Sequence, residues 1–173
     1  MKTSEKLLYS YLNHIKQLNK NILINSRKSI KDFDTNLSIV SLEQTARTAQ
    51  DAATALGCNV GAIVKSLLFH SGDDFVLCLV SGDKRCSLNK LKKILNEKDV
   101  SMANPNEVKK ITGYTIGGVS PVGHLNKVKI FIDTNFERFT TVFAAAGHPN
   151  CIFKIDFNQL TILTTGEVKE IAE

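Results

Sequence analysis

Apolar residues recur at Leu7, Leu8, Tyr11, Leu12, Ile15 and Leu18, a spacing that predicts a helix over residues 4–19 with Ser4 or Thr3 as its cap. From Asn21 to Asn36 short apolar pieces are broken by asparagine and lysine, which predicts irregular chain or a short strand. Leu37–Leu42 alternates as a strand does. Thr48 and Asp51 then stand in the pattern of a capping box. Ala49, Ala52, Ala53 and Leu56 follow on one helical face, and Gly57 predicts a left-handed stop.

The next segment, Ile63-Val64-Lys65-Ser66-Leu67-Leu68-Phe69, is a run of apolar or small residues with one cation inside it. Such a run between turn residues reads as a strand buried on both faces. Lys65 must therefore snorkel to an edge, find a carboxylate, or sit in a polar cavity cut into the core. Phe75–Val80 predicts a hairpin partner across Gly72-Asp73-Asp74. Ser87 is placed to cap a helix through Leu95, with Leu88, Leu91 and Leu95 inward. Val100–Ala103 reads as a brief strand, and Pro105 opens a helix to Thr112 that Gly113 stops. Further strands are expected at Val128–Asp133, Thr140–Ala146 and Ile152–Ile155, and a helix from Asp156 through Leu163. Strands and helices are interspersed without a βαβ rhythm, which predicts an α+β fold with a mixed sheet.

Composition narrows the function classes. The 173 residues are 43% hydrophobic and 23% charged, as in ordinary globular chains, and suffice for one domain burying roughly two thirds of its unfolded surface. No run approaches the ~20 apolar residues of a membrane span, and the N-terminus has no secretory pattern; the expectation is a cytosolic protein. Cys58, Cys78, Cys86 and Cys151 form no Cys-x-x-Cys pair, and His14, His70, His124 and His148 are dispersed. Neither a zinc site nor a disulfide framework is expected, and no other cofactor is implied. Residues 1–31 carry seven cations against Glu5 alone, whereas the whole chain totals +5, so the remainder is net −1. That basic segment suits a polyanion such as RNA, or merely solvates a helix face.

Two clusters remain. Gly117-Gly118-Val119-Ser120-Pro121 lies in a glycine-rich stretch from Gly113 to Leu125, which predicts a structured loop whose amides can face a phosphate or oxyanion. It is neither a Walker loop nor a dinucleotide fingerprint. Ala144-Ala145-Ala146-Gly147-His148-Pro149 combines small side chains with one histidine, either structural or facing a ligand.

In order and spacing, Thr45–Ala53, Ile63–Phe69, Thr112-Gly113-Tyr114, Gly117–Pro121 and Ala146–Pro149 resemble the YbaK/EbsC family, related to the editing domain of bacterial prolyl-tRNA synthetase. The resemblance covers about residues 37–165. It implies a mixed, barrel-like sheet flanked by helices, and a single editing domain over 1–173 with a basic helical segment at about 1–31. It further implies a deacylase that hydrolyses the ester of mischarged aminoacyl-tRNA, using a placed water and the ribose hydroxyl of the tRNA. The family lysine matches Lys65, with Gly117 and Gly118 as oxyanion donors. Ser66, Val119, Ser120, Pro121, Ala145, Gly147, His148 and Pro149 then bind substrate. No metal or other cofactor is implied; an aminoacyl-tRNA synthetase is a further candidate partner. At Gly61, Ser66, Ala145 and Ile152 the chain departs from two branches of the family, and the small alanines point to a small amino acid. The alternatives are a catalytically silent relative that binds tRNA or a synthetase through the basic segment, and a binder of free small molecules.

Overall fold

A computed structural model describes residues 3–42, 46 and 48–173. The motif residues Thr45 and Arg47 lie outside these, as do the side chains of the expected cap and apolar face over residues 3–12, 14, 15, 18 and 19.

Eight strands form one mixed sheet in the order β1-β7-β6-β2-β3-β5-β8, with β4 paired to β2. They are β1 (Ile39–Ser41), β2 (Ile63–Ser71), β3 (Asp74–Ser81), β4 (Val100–Met102), β5 (Lys129–Asp133), β6 (Thr141–His148), β7 (Cys151–Asp156) and β8 (Glu167–Lys169). The helices are α1 (Thr3–Phe33), α2 (Ala49–Leu56), α3 (Leu88–Leu95), α4 (Pro105–Thr112) and α5 (Phe157–Thr164). The expected hairpin β2/β3 is antiparallel, its register running from Val64 opposite Ser81 to Ser71 opposite Asp74. β2 is buried on both faces, as its apolar run requires. Val64 and Leu68 join a core with Ile22 and Ile30 of α1, Val108 of α4 and Leu160 of α5. Ile63 packs on the opposite face with Ala52 and Ala53 of α2, and Phe69 with Leu91 of α3.

The capping box of α2 is complete, with Thr48 and Asp51 exchanging bonds and Gly57 in the left-handed conformation at φ 62°. Asn104 caps α4 in the same way. Other expectations are corrected. Residues 21–33 are neither irregular nor a strand but the second half of α1. Ile22, Ser26 and Ile30 recur every four residues and are buried, so packing overrides the weak propensity of the asparagines around them. Leu88, expected inward, is 40% exposed while Leu91 is fully buried, because Leu88 opens the helix before its face meets the sheet. Ser87 makes no side-chain cap bond. β8 has no counterpart among the expected strands; its single valine gives no alternation to read, and pairing with β5 creates it. Cys78 and Cys151 are buried, whereas Cys58 and Cys86 are half-buried, and all four are free thiols. Among the described residues no helix is long and apolar enough to cross a membrane.

Candidate active site

An interruption in the sheet makes the site. β2 pairs with β6 only at Ile63–Phe143 and Val64–Ala144, and with β4 only from Phe69 onward. The Leu68 carbonyl accepts from Ala103 N at 3.0 Å, so the polar backbone groups of Leu68 point away from β3. Strand alternation then turns the N–H and C=O of Ser66 to the same side, where no strand among the described residues lies opposite. A cavity of about 310 Å³ fills this gap, at the lower end of the size range of ligand pockets. Lys65 and Ser66 line it from β2, Ala49 and Ala52 from α2, and Gly117 and Val119 from the glycine loop. Ala145 and Pro149 close it from the β6/β7 side. Its walls are chiefly apolar. Ser66 Oγ is buried without a hydrogen-bond partner among the described residues.

Lys65 is half-buried, and its ammonium donates to the Lys84 carbonyl. Burial pulls its pKa below the usual lysine value, and the carboxylates of Asp83 and Asp133 partly offset this. The Ser81-Gly82-Asp83-Lys84 turn that supplies the carbonyl is held closely. A Cβ on Gly82 would stand 2.0 Å from the Val60 carbonyl oxygen, so only glycine fits. Arg138 clamps Asp83 through Nη1 at 2.9 Å and Nη2 at 2.8 Å. That bidentate bond from Arg138 holds the Asp83 carboxyl down at about 2.

The glycine loop is anchored from within. Tyr114 is buried, with its hydroxyl 2.8 Å from Val122 O and 2.9 Å from Gly123 O; burial raises its pKa to about 12. Ser26 Oγ of α1 donates to Ser120 Oγ at 2.9 Å, and His124 Nε2 lies 2.7 Å from the Ser120 carbonyl. Gly118 N–H donates to Thr115 O at 3.0 Å and closes the turn. Its amide is thus bonded within the loop, while Gly117, at φ 89°, lies on the cavity wall. The loop touches the β6/β7 turn, since a Cβ on Gly118 would come within 2.8 Å of Pro149 Cδ and 2.9 Å of His148 Cα.

The structure thus gathers Lys65, Ser66, Gly117, Val119, Ala145 and Pro149 around one cavity. Other expected site residues stand behind or beside it. Ser120 and Pro121 are buried in the loop, and Gly147 at φ 90° packs against Tyr114 and Leu23. His148 is exposed, its Nδ1 accepting from Asn150 N at 3.1 Å. Sequence reasoning missed the Lys84 carbonyl and the Asp83–Arg138 clamp. The Ser-Gly-Asp turn was a signal for the former, while Arg138 is distant in sequence and carries none.

A family model described as "Aminoacyl-tRNA editing domain" matches residues 43–163. The chain is 31% identical to the uncharacterized protein YwhH of Bacillus subtilis, over 83% of this chain and 94% of that one. It is 40% identical to a stretch of the proline–tRNA ligase of Kosmotoga olearia, covering 50% of this chain but only 15% of the ligase. A crystal structure called "a putative trans-editing enzyme for prolyl tRNA synthetase" superposes with a TM-score of 0.83 at 34% identity, covering 88% of this chain and 97% of that one. A fold shared along nearly the whole of that neighbour, and a family model matched from α2 through α5, place this chain in the aminoacyl-tRNA editing domain family.

Proposed function

We propose that the protein is a free-standing hydrolase that deacylates mischarged aminoacyl-tRNA bearing a small amino acid. The observation that carries this reading is one cavity lined jointly by the half-buried Lys65, the unpaired edge of β2 at Ser66 and the Gly117 turn. An aminoacyl ester is already activated, so hydrolysis needs a placed water and support for the developing oxyanion rather than a strong nucleophile. Water adds to the ester carbonyl carbon, the carbonyl oxygen takes the negative charge, and the C–O bond to the ribose breaks with its oxygen regaining a proton. Lys65 supplies the positive charge, holding the carbonyl oxygen or the terminal phosphate, and the Gly117 amide faces the same oxygen. The neighbouring ribose hydroxyl orients the water. The Ser66 C=O and hydroxyl oxygen accept from the α-ammonium group of the substrate, while Val119, Ala145 and Pro149 bound its side chain. Gly118, Ser120, Pro121, Gly147 and His148 shape the two turns. Apolar walls discriminate by only roughly 10–200-fold per methylene, so related small amino acids share the site. The reaction belongs in the cytoplasm, where charged tRNA is found.

A second reading is favoured by a specific feature: the Lys65 ammonium and the Gly118 amide are already engaged within the chain. It makes the protein a silent relative that binds tRNA or a synthetase. The deciding experiment is a panel of mischarged tRNA(Pro), tRNA(Ala) and tRNA(Thr) with the wild type and Lys65→Ala. Release of amino acid by the wild type alone is expected; tRNA binding with no release from any substrate overturns the hydrolase.

A further inference from the structure

Helix α1 ends ten residues before the matched editing domain begins at residue 43, yet it packs directly behind the loop and the strand that line the cavity. Ser26 bonds Ser120 in the interior, directly after the cavity-lining Val119. Arg27 Nη2 stands 3.8 Å from Cys151 Sγ, between the cavity-lining Pro149 and Ile152. At about 100° per residue, Lys16, Lys20, Arg27 and Lys31 fall within an arc of about 60° beside the buried face. All four are exposed. Among the described residues none of them forms an ion pair; Lys31 Nζ donates to the Thr35 carbonyl at 2.7 Å. From Lys16 to Lys31 the stripe runs about 22 Å, and Asp32 lies on a different face of the helix. A row of exposed cations on a helix packed against the loop and strands that line a cavity is the electrostatic complement of a nucleic-acid backbone.

Resting on the editing reading above, we propose that the Lys16–Lys20–Arg27–Lys31 face of α1 is a docking surface for backbone phosphates of the tRNA whose esterified end enters the cavity. The arrangement divides the labour. The cavity reads the amino acid, and the helix holds the RNA body without reading its sequence. A lone patch of lysines could merely keep a helix soluble; here the patch is fixed by Ser26 and Ile30 to the loop and sheet that form the site.

The test is binding of an uncharged tRNA transcript between about 50 and 200 mM salt. The variant Lys16→Gln/Lys20→Gln/Arg27→Gln/Lys31→Gln removes all four cations from the phosphates, and its slope of log affinity against log salt is expected to fall by about three. Lys16→Gln/Lys20→Gln/Lys31→Gln keeps the Arg27–Cys151 contact, and its slope is expected to fall by about two. Circular dichroism is expected to match the wild type for both. Hydrolysis of an aminoacylated adenosine, too short to reach α1, is expected to stay at the wild-type rate while KM for whole charged tRNA rises. An unchanged salt slope, or equal losses on adenosine ester and tRNA, overturns the docking surface. If the wild type hydrolyses neither substrate, the editing reading falls, and the salt slopes still decide whether α1 binds RNA.

Discussion

Lys65 carries a charge half removed from water, with the carboxylates of Asp83 and Asp133 partly offsetting the cost of its burial. Lys65→Ala is expected to lower the deacylation rate by roughly 10²–10³, the usual effect of removing one oxyanion-stabilising group, with thermal unfolding near that of the wild type. Because burial depresses its pKa, activity that needs the ammonium is expected to fall on the alkaline side at lower pH than an unperturbed lysine would allow. The stability effect has the opposite slope. Between the folded pKa and the higher unfolded one, the unfolded chain binds more protons, so stability rises with pH across that window. Lys65→Met is expected to flatten this rise in denaturation midpoints. His124 follows the same sign rule at lower pH. Burial lowers its pKa, opposed by its bond to the Ser120 carbonyl, so stability falls as pH drops below about 6.5 through the folded value. Denaturant titrations of His124→Gln are expected to show a shallower acid limb. The cation in the run Ile63–Phe69 was legible in the sequence because its neighbours are apolar. Its carbonyl partner, Lys84, was not, since nineteen residues separate the two and only the β2/β3 hairpin brings them together.

At the scale of elements, the cavity opens because β2 lacks a strand neighbour, among the described residues, between its β6 and β4 pairings. Two turns then close the opening, and they meet where Gly118 faces His148 and Pro149. Gly118→Ala places a methyl group against backbone atoms. It is expected to destabilise by about 1–3 kcal/mol, as overpacking does, and to reduce activity as the loop moves from Pro149; urea titration and the deacylation assay check the two effects. Gly117→Ala meets no atom closer than 3.8 Å, so its disturbance is confined to the positive φ. Helix α2 was readable almost to the residue, because a capping box and a closing glycine are local signals. The second half of α1 was not. Its asparagines argue for irregular chain, and the apolar positions that make it helical gain their energy from contacts with β6, the glycine loop and residues far along the chain.

Across the whole molecule, the basic segment cannot be treated as a detachable arm. Ile22 and Ile30 are 6% and 0% exposed, and Ser26 holds the loop that bears Val119. Deleting residues 1–31 therefore removes core. Two buried isoleucines alone correspond to about 3–6 kcal/mol, so urea denaturation is expected to show a severely weakened chain rather than an intact editing domain lacking its RNA contact. Charge substitutions on the exposed face of α1 separate docking from folding, and truncation does not.

The amino-acid sequence by itself determined the strands with apolar runs, the capped helices, the glycine loop, the odd lysine and the family to which they belong, because each is written in neighbouring residues. Tertiary structure alone decided that β2 and β6 part after two residue pairs, that the Gly118 amide bonds within its own turn, and that α1 runs on to pack behind the glycine loop. Those outcomes depend on contacts between segments distant in the chain, where strand pairing and burial outweigh local preference.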